Sequence, residues 1–180
     1  MKGLVFTEFL EMVESTWSLD MVDTLIERAG VSGAYTAVGT YPHAELLALV
    51  GALAAETGTP AAALVRAFGQ HLFGRFALAY PRLFEGHTDS LDFLAGIEKI
   101  IHAEVRKLYP DAELPSFEVE RDEHGLVLTY YSSHPFADLA WGLIEGCLRH
   151  FGGTERVVRE TPPPGSGAQA RFVITREPRQ

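Results

Sequence analysis

The chain has 180 residues, 47% hydrophobic and 11% aromatic, which is enough apolar mass for one well-cored domain and too much for a disordered chain. Fifteen Lys plus Arg against 24 Asp plus Glu leave a formal charge of −9, which argues against binding nucleic-acid phosphates or an anionic membrane. The lone cysteine, Cys147, excludes an internal disulfide and any metal site of several thiolates. It fits a reducing, cytoplasmic compartment, as does an N-terminus that turns acidic at Glu8 without a signal-peptide pattern.

Apolar residues recur at threes and fours up to about residue 110, with Gly or Pro at the breaks, which predicts a helical first half. Phe6, Phe9, Leu10, Val13 and Trp17 form the stripe of a first helix, and Met21, Val22, Leu25 and Ile26 form a second that ends at Gly30. Pro42 opens a third through Leu46, Leu47, Val50 and Leu53, stopped by Gly58. Pro60 opens a fourth, aromatic-rich helix that Pro81 ends or bends. The clearest helix runs from about Ser90 to Tyr109, where Leu94, Ile97, Ile101, Val105 and Leu108 keep helical spacing. Beyond Pro110 the pattern turns β-rich: Phe117 to Arg121 and Leu126 to Tyr131 flank the turn Asp122-Glu123-His124-Gly125. A helix from about Pro135 to Phe151 precedes a second hairpin, Glu155 to Thr161 with Arg171 to Arg176, around a Pro/Gly tip. The expected class is α+β, in one domain over residues 1–180.

Seven histidines stand out against one cysteine. His43, His87, His124 and His150 fall beside turns or on polar faces and read as solvated. His102 borders the apolar stripe of the 90–109 helix, where a neutral imidazole suits either an iron ligand or a hydrogen-bonded core residue; pattern alone leaves both open. Alternation along a strand places Tyr130, Ser132 and His134 on one side, as donors for a carboxylate. The competing reading is a strand-to-helix junction in which Ser or His caps the helix and Pro135 takes its first turn. No nucleophile elbow, phosphate loop, zinc-protease or calcium motif occurs, so no enzymatic activity is expected.

Met1-Lys2-Gly3, the helix from Asp92-Phe93-Leu94 to His102 with Tyr109-Pro110 after it, Pro115, Tyr130-x-Ser132 and Gly142-Leu143-Ile144-Glu145-Gly146, in this order, resemble the haem-nitric oxide/oxygen binding (H-NOX, HNOB) family nearly end to end. The resemblance implies a distal helical subdomain over about 1–65, a proximal α/β subdomain over about 66–180 with a four-stranded antiparallel sheet, and haem b between them. It makes His102 the proximal iron ligand and assigns Tyr130 and Ser132 to a Y-x-S-x-R propionate motif in which His134 replaces the arginine. Arginine grips a carboxylate with two parallel hydrogen bonds, whereas imidazole offers fewer donors and is charged only when protonated. Affinity for haem is therefore expected to fall as pH rises and that charge is lost.

In relatives that hold O2 a tyrosine stands where this chain has Leu139; with Val5, Phe9, Phe76 and Leu143 the distal pocket is expected to be apolar, with His71 the one nearby polar residue and its own expected place the surface or the space between helices. Pro115 matches a proline that presses against the haem. The implied function is nitric oxide sensing at five-coordinate ferrous haem, relayed by a shift between subdomains to a separate histidine kinase or diguanylate cyclase/phosphodiesterase, since a sensor of this kind takes up nearly the whole chain. The other expectation is a haem-free module of the same fold that binds a protein or an apolar ligand. One cysteine is too few for the cysteine-bound zinc site of some relatives.

Overall fold

Apolar stripes give four helices in the first half, α1 (Gly3–Thr16), α2 (Leu19–Ala29), α3 (His43–Thr57) and α4 (Ala61–Ala79), the last three closed by Gly or Pro. The structure is a computed structural model that describes residues 1–176; residues 177–180 of the expected domain lie outside the described residues. The Ser18 hydroxyl caps α2 by accepting the Met21 N–H at 3.1 Å, and Gly30 ends it at φ 65°, a left-handed turn that only glycine takes without strain. Phe6, Phe9 and Val13 of α1, Leu25 of α2, Leu49 and Leu53 of α3 and Phe68 of α4 are almost wholly buried together. Each such side chain contributes on the order of 2 kcal/mol of transfer free energy. Trp17, expected in the α1 stripe, instead follows the helix in a non-helical conformation that turns it outward, leaving it 39% exposed.

The expected continuous helix over 90–109 is broken. α5 (Ser90–Ala95), capped by the Asp89 carboxylate on the N–H groups of Leu91 and Asp92, ends at Gly96. A π-helical turn over Glu98–His102 follows, and α6 (Ala103–Leu108) resumes α geometry. The His102 N–H reaches back five residues to the Ile97 carbonyl at 2.9 Å, while Ile101 N–H bonds the same oxygen at 3.0 Å. Gly96 and the β-branched Ile97, Ile100 and Ile101 weaken the helix where it widens. Such turns concentrate at functional positions.

The second half forms β1 (Ser116–Arg121), β2 (Gly125–Tyr131), β3 (Glu155–Glu160) and β4 (Ala170–Arg176), an antiparallel sheet in the order β1-β2-β4-β3. The Asp122 carboxylate closes the first hairpin by accepting the N–H groups of His124 and Gly125 at 2.8 and 2.9 Å. α7 (Ala137–His150) packs Ile144, Cys147 and Leu148 into the cluster that holds Leu126, Leu128, Phe172 and Ile174 of the sheet. α4 and α7 cross with their backbones in contact: a Cβ on Gly69 would lie 2.8 Å from the Gly142 Cα, and one on Gly146 would lie 2.6 Å from the Phe73 Cβ. Leu143, on α7, packs against both the helical and the sheet clusters.

Candidate functional site

His102 closes the π-helical turn with only 7% of its surface exposed. Its Nδ1 lies 3.2 Å from Oε1 of Glu98, which also accepts the Phe117 N–H at 2.9 Å. A carboxylate only accepts, so Nδ1 carries the proton and Nε2 holds the lone pair that a metal takes. Burial holds the His102 imidazole below its ordinary value despite the pull of Glu98, which keeps the ring neutral at pH 7. Its ring faces Phe117 at 6.0 Å, and Phe117 in turn faces Tyr130 at 5.4 Å.

Tyr130 is 2% exposed; burial pushes its phenol up, so it remains a protonated donor. The capping alternative is corrected by the structure, because α7 begins at Ala137 with no side-chain cap. The Ser132 hydroxyl instead accepts the His134 N–H at 3.0 Å, two residues on, and fixes the loop that carries His134. Gln169 buttresses the same loop, donating its backbone N–H to the Tyr130 carbonyl at 2.9 Å and its side-chain amide to the Ser132 carbonyl at 2.5 Å. His134 Nε2 meets Glu113 Oε2 at 2.7 Å. Against its back lies the His43 ring, 4.2 Å away and tilted by 39°. His43, read from the sequence as solvated, is thus half-buried against the predicted carboxylate site.

The structure brings Phe9 and Leu139 into one buried cluster, with Val5, Phe76 and Leu143 packed against it. Pro115 is half-buried, at the entry to β1. His71, on α4, lies toward α1: its Nε2 is 3.8 Å from the Glu8 carboxylate, which Arg75 holds at 2.8 Å. A cavity of about 520 Å³ between Asp89, Ser90, Phe151 and Arg176 is lined by none of the predicted site residues. Glu98, His43, Glu113, Phe117 and Gln169 are the residues that the sequence reading missed. Only Glu98, four residues before His102 on a helix, left a readable spacing signal.

The donor set fits a haem: one buried neutral imidazole with a fixed tautomer, an apolar wall, and a second imidazole that already binds a carboxylate, Glu113, as it would a propionate. The α+β architecture is that of the H-NOX proteins. The chain aligns with an H-NOX protein from K. algicida in the Fe(II) unliganded state at 36% identity and TM-score 0.90, covering 99% of this chain and 98% of that one. The H-NOX from Shewanella woodyi in the Fe(II)CO state is 40% identical at TM-score 0.85, with 99% and 96% covered. An H-NOX protein from S. oneidensis in the Fe(II)NO state is 27% identical at TM-score 0.87, with 97% of each chain covered. The family model described as Haem-NO-binding matches residues 2–158, and the chain belongs to that family. No curated protein matches it.

Proposed function

We propose that the protein is a haem-based nitric oxide sensor, without an enzymatic reaction of its own, that relays its state to a separate signalling protein. A histidine kinase or a diguanylate cyclase/phosphodiesterase is the proposed partner. The observation that carries the reading is the buried, neutral His102, its Nδ1 proton held by Glu98 and its ring at the end of a π-helical turn. Ferrous haem b supplies a coordination position at which a diatomic gas binds. His102 would hold the iron, Tyr130, Ser132 and His134 the propionates, and Pro115 one face of the macrocycle. Val5, Phe9, Phe76, Leu139 and Leu143 would wall the gas side. These five offer no hydrogen-bond donor, so they favour nitric oxide, which binds ferrous iron strongly without one, over O2.

The relay follows from where His102 stands. It sits between the Gly96-Ile97 break and α6, so a change of load on its ring falls on the least regular part of the helical path. We place the boundary between the distal and proximal subdomains at about residue 65, with α4 and α7 joining them. Among the described residues no single helix is long and apolar enough to cross a membrane.

A haem-free interaction module is the second reading, supported by the missing arginine at His134 and the carboxylate already placed on that ring. An absorption spectrum of protein expressed with ample haem decides between them. A Soret band that moves when nitric oxide is added to the reduced protein is expected; its absence before and after reconstitution favours the haem-free module.

A further inference from the structure

We propose that His43 and His134 form a two-imidazole clamp for a haem carboxylate, and that Glu113 is an internal carboxylate which fills the clamp and is displaced when haem enters. The proposal rests on the haem reading. His43 comes from α3 and His134 from the loop after β2, so the clamp joins two parts of the chain far apart in sequence.

One imidazole replaces the arginine fork poorly, because it presents a single outward N–H. Two rings 4.2 Å apart supply a second donor. They also repel if both are protonated, which makes an anion beside them favourable. α3 adds to this: His43 is its first residue, no side chain caps that end, and the first-turn acid Glu45 is engaged by the Tyr35 hydroxyl at 2.7 Å. The positive end of the α3 dipole lies at His43 and favours an anion there, offset in part by Glu45.

Glu113 shows that an anion is taken. Its Oε2 lies 2.7 Å from His134 Nε2, and His134 above all, with smaller pulls from the Met1 ammonium and then His43, holds the Glu113 carboxyl below the usual carboxylate range. Yet the two partners differ in fixity. The His134 side chain is 19% exposed and its N–H is tied to Ser132, whereas the Glu113 side chain is 69% exposed. An exposed ion pair is worth little, so a carboxylate held in place by the rest of the haem replaces Glu113 at small cost. Among the described residues no group of three His, Cys, Asp or Glu side chains is placed to hold a metal ion.

The test is haem loss to a haem-scavenging globin, measured for wild type, Glu113→Gln and His43→Phe. Each is loaded either with haem or with its dimethyl ester, whose carboxylates are masked. Removing the competitor in Glu113→Gln is expected to slow haem loss about threefold or more, and His43→Phe, which keeps the ring but not its N–H, to speed it about fivefold. Both variants should leave loss of the ester within about twofold of wild type. Should His43→Phe fold poorly, Glu113→Gln carries the test alone, since its side chain is exposed. Equal effects on both porphyrins, or no effect of Glu113→Gln on haem, overturn the clamp alone. A wild type that takes up neither porphyrin overturns the haem reading and the clamp with it.

Discussion

Glu98 Oε1 and His102 Nδ1 lie 3.2 Å apart, and the same oxygen accepts the Phe117 N–H, so one carboxylate orients the imidazole and ties its turn to β1. Replacing Glu98 by Ala leaves both donors without that acceptor. Because Glu98 is 31% exposed, the expected loss of stability is modest, about 1 kcal/mol, read by chemical denaturation. The expected weakening of haem binding is larger, about 10- to 100-fold, as for other second partners of metal-bound histidines. Unchanged haem affinity would show that Glu98 is structural only.

His102→Gly removes the imidazole without adding bulk. Haem should then be retained only when free imidazole is supplied, with the reduced spectrum restored by it. Retention without imidazole, with the wild-type spectrum, would remove His102 from the iron.

Leu139 is buried beside Gly69 and carries no donor. Leu139→Tyr introduces a hydroxyl on the wall assigned to the gas. The reduced variant should oxidise more slowly in air than wild type, followed by the decay of the ferrous absorption. Equal decay would place position 139 away from the bound gas.

A Cβ on Gly142 would overlap the Arg66 carbonyl oxygen, whereas one on Gly74 meets nothing within 4 Å. Gly142→Ala should therefore cost about 2 kcal/mol or more by forcing α4 from α7, while Gly74→Ala on the exposed side of α4 should add about 0.5–1 kcal/mol. Urea denaturation of the two variants gives opposite shifts of midpoint if the helices cross backbone to backbone.

Burial alone would raise the Asp89 carboxyl, but hydrogen bonds from Asp92 N–H, Arg176 and Leu91 N–H outweigh it and hold it below the ordinary aspartate value. A value lower in the folded than in the unfolded chain means stabilisation that is full above the unfolded value and fades as pH falls through the folded one. Asp89→Asn keeps the helix cap and loses the charge. At pH 7 it should be less stable by about 0.5 kcal/mol, since Arg176 is 46% exposed, and the gap should close in acid. A gap that stays constant from pH 7 to pH 3 would exclude the ion pair as its source.

Local pattern made much of the fold legible. Gly30 and Gly58 ended helices in left-handed conformations where the sequence placed the stops, and Asp122 closed the hairpin expected around it. The break inside the 90–109 segment was not legible, because Leu94, Ile97 and Ile101 keep helical spacing across it. Among candidate site residues, His102 stood out by its apolar stripe. His43 did not: a histidine after Pro42 at a helix start looks solvated, and its neighbour His134 is ninety-one positions away in sequence, beyond the reach of any local pattern.

The contact between α4 and α7 at Gly69 and Gly142 has a mechanical consequence. Packed side chains compress little and transmit strain, and only rotamer changes give a side-chain contact some play. Where two backbones touch, there is no such play. Leu143, beside this crossing, packs against both clusters, so the two cores meet where α4 and α7 have least room to slip, as in a gear cut with little backlash.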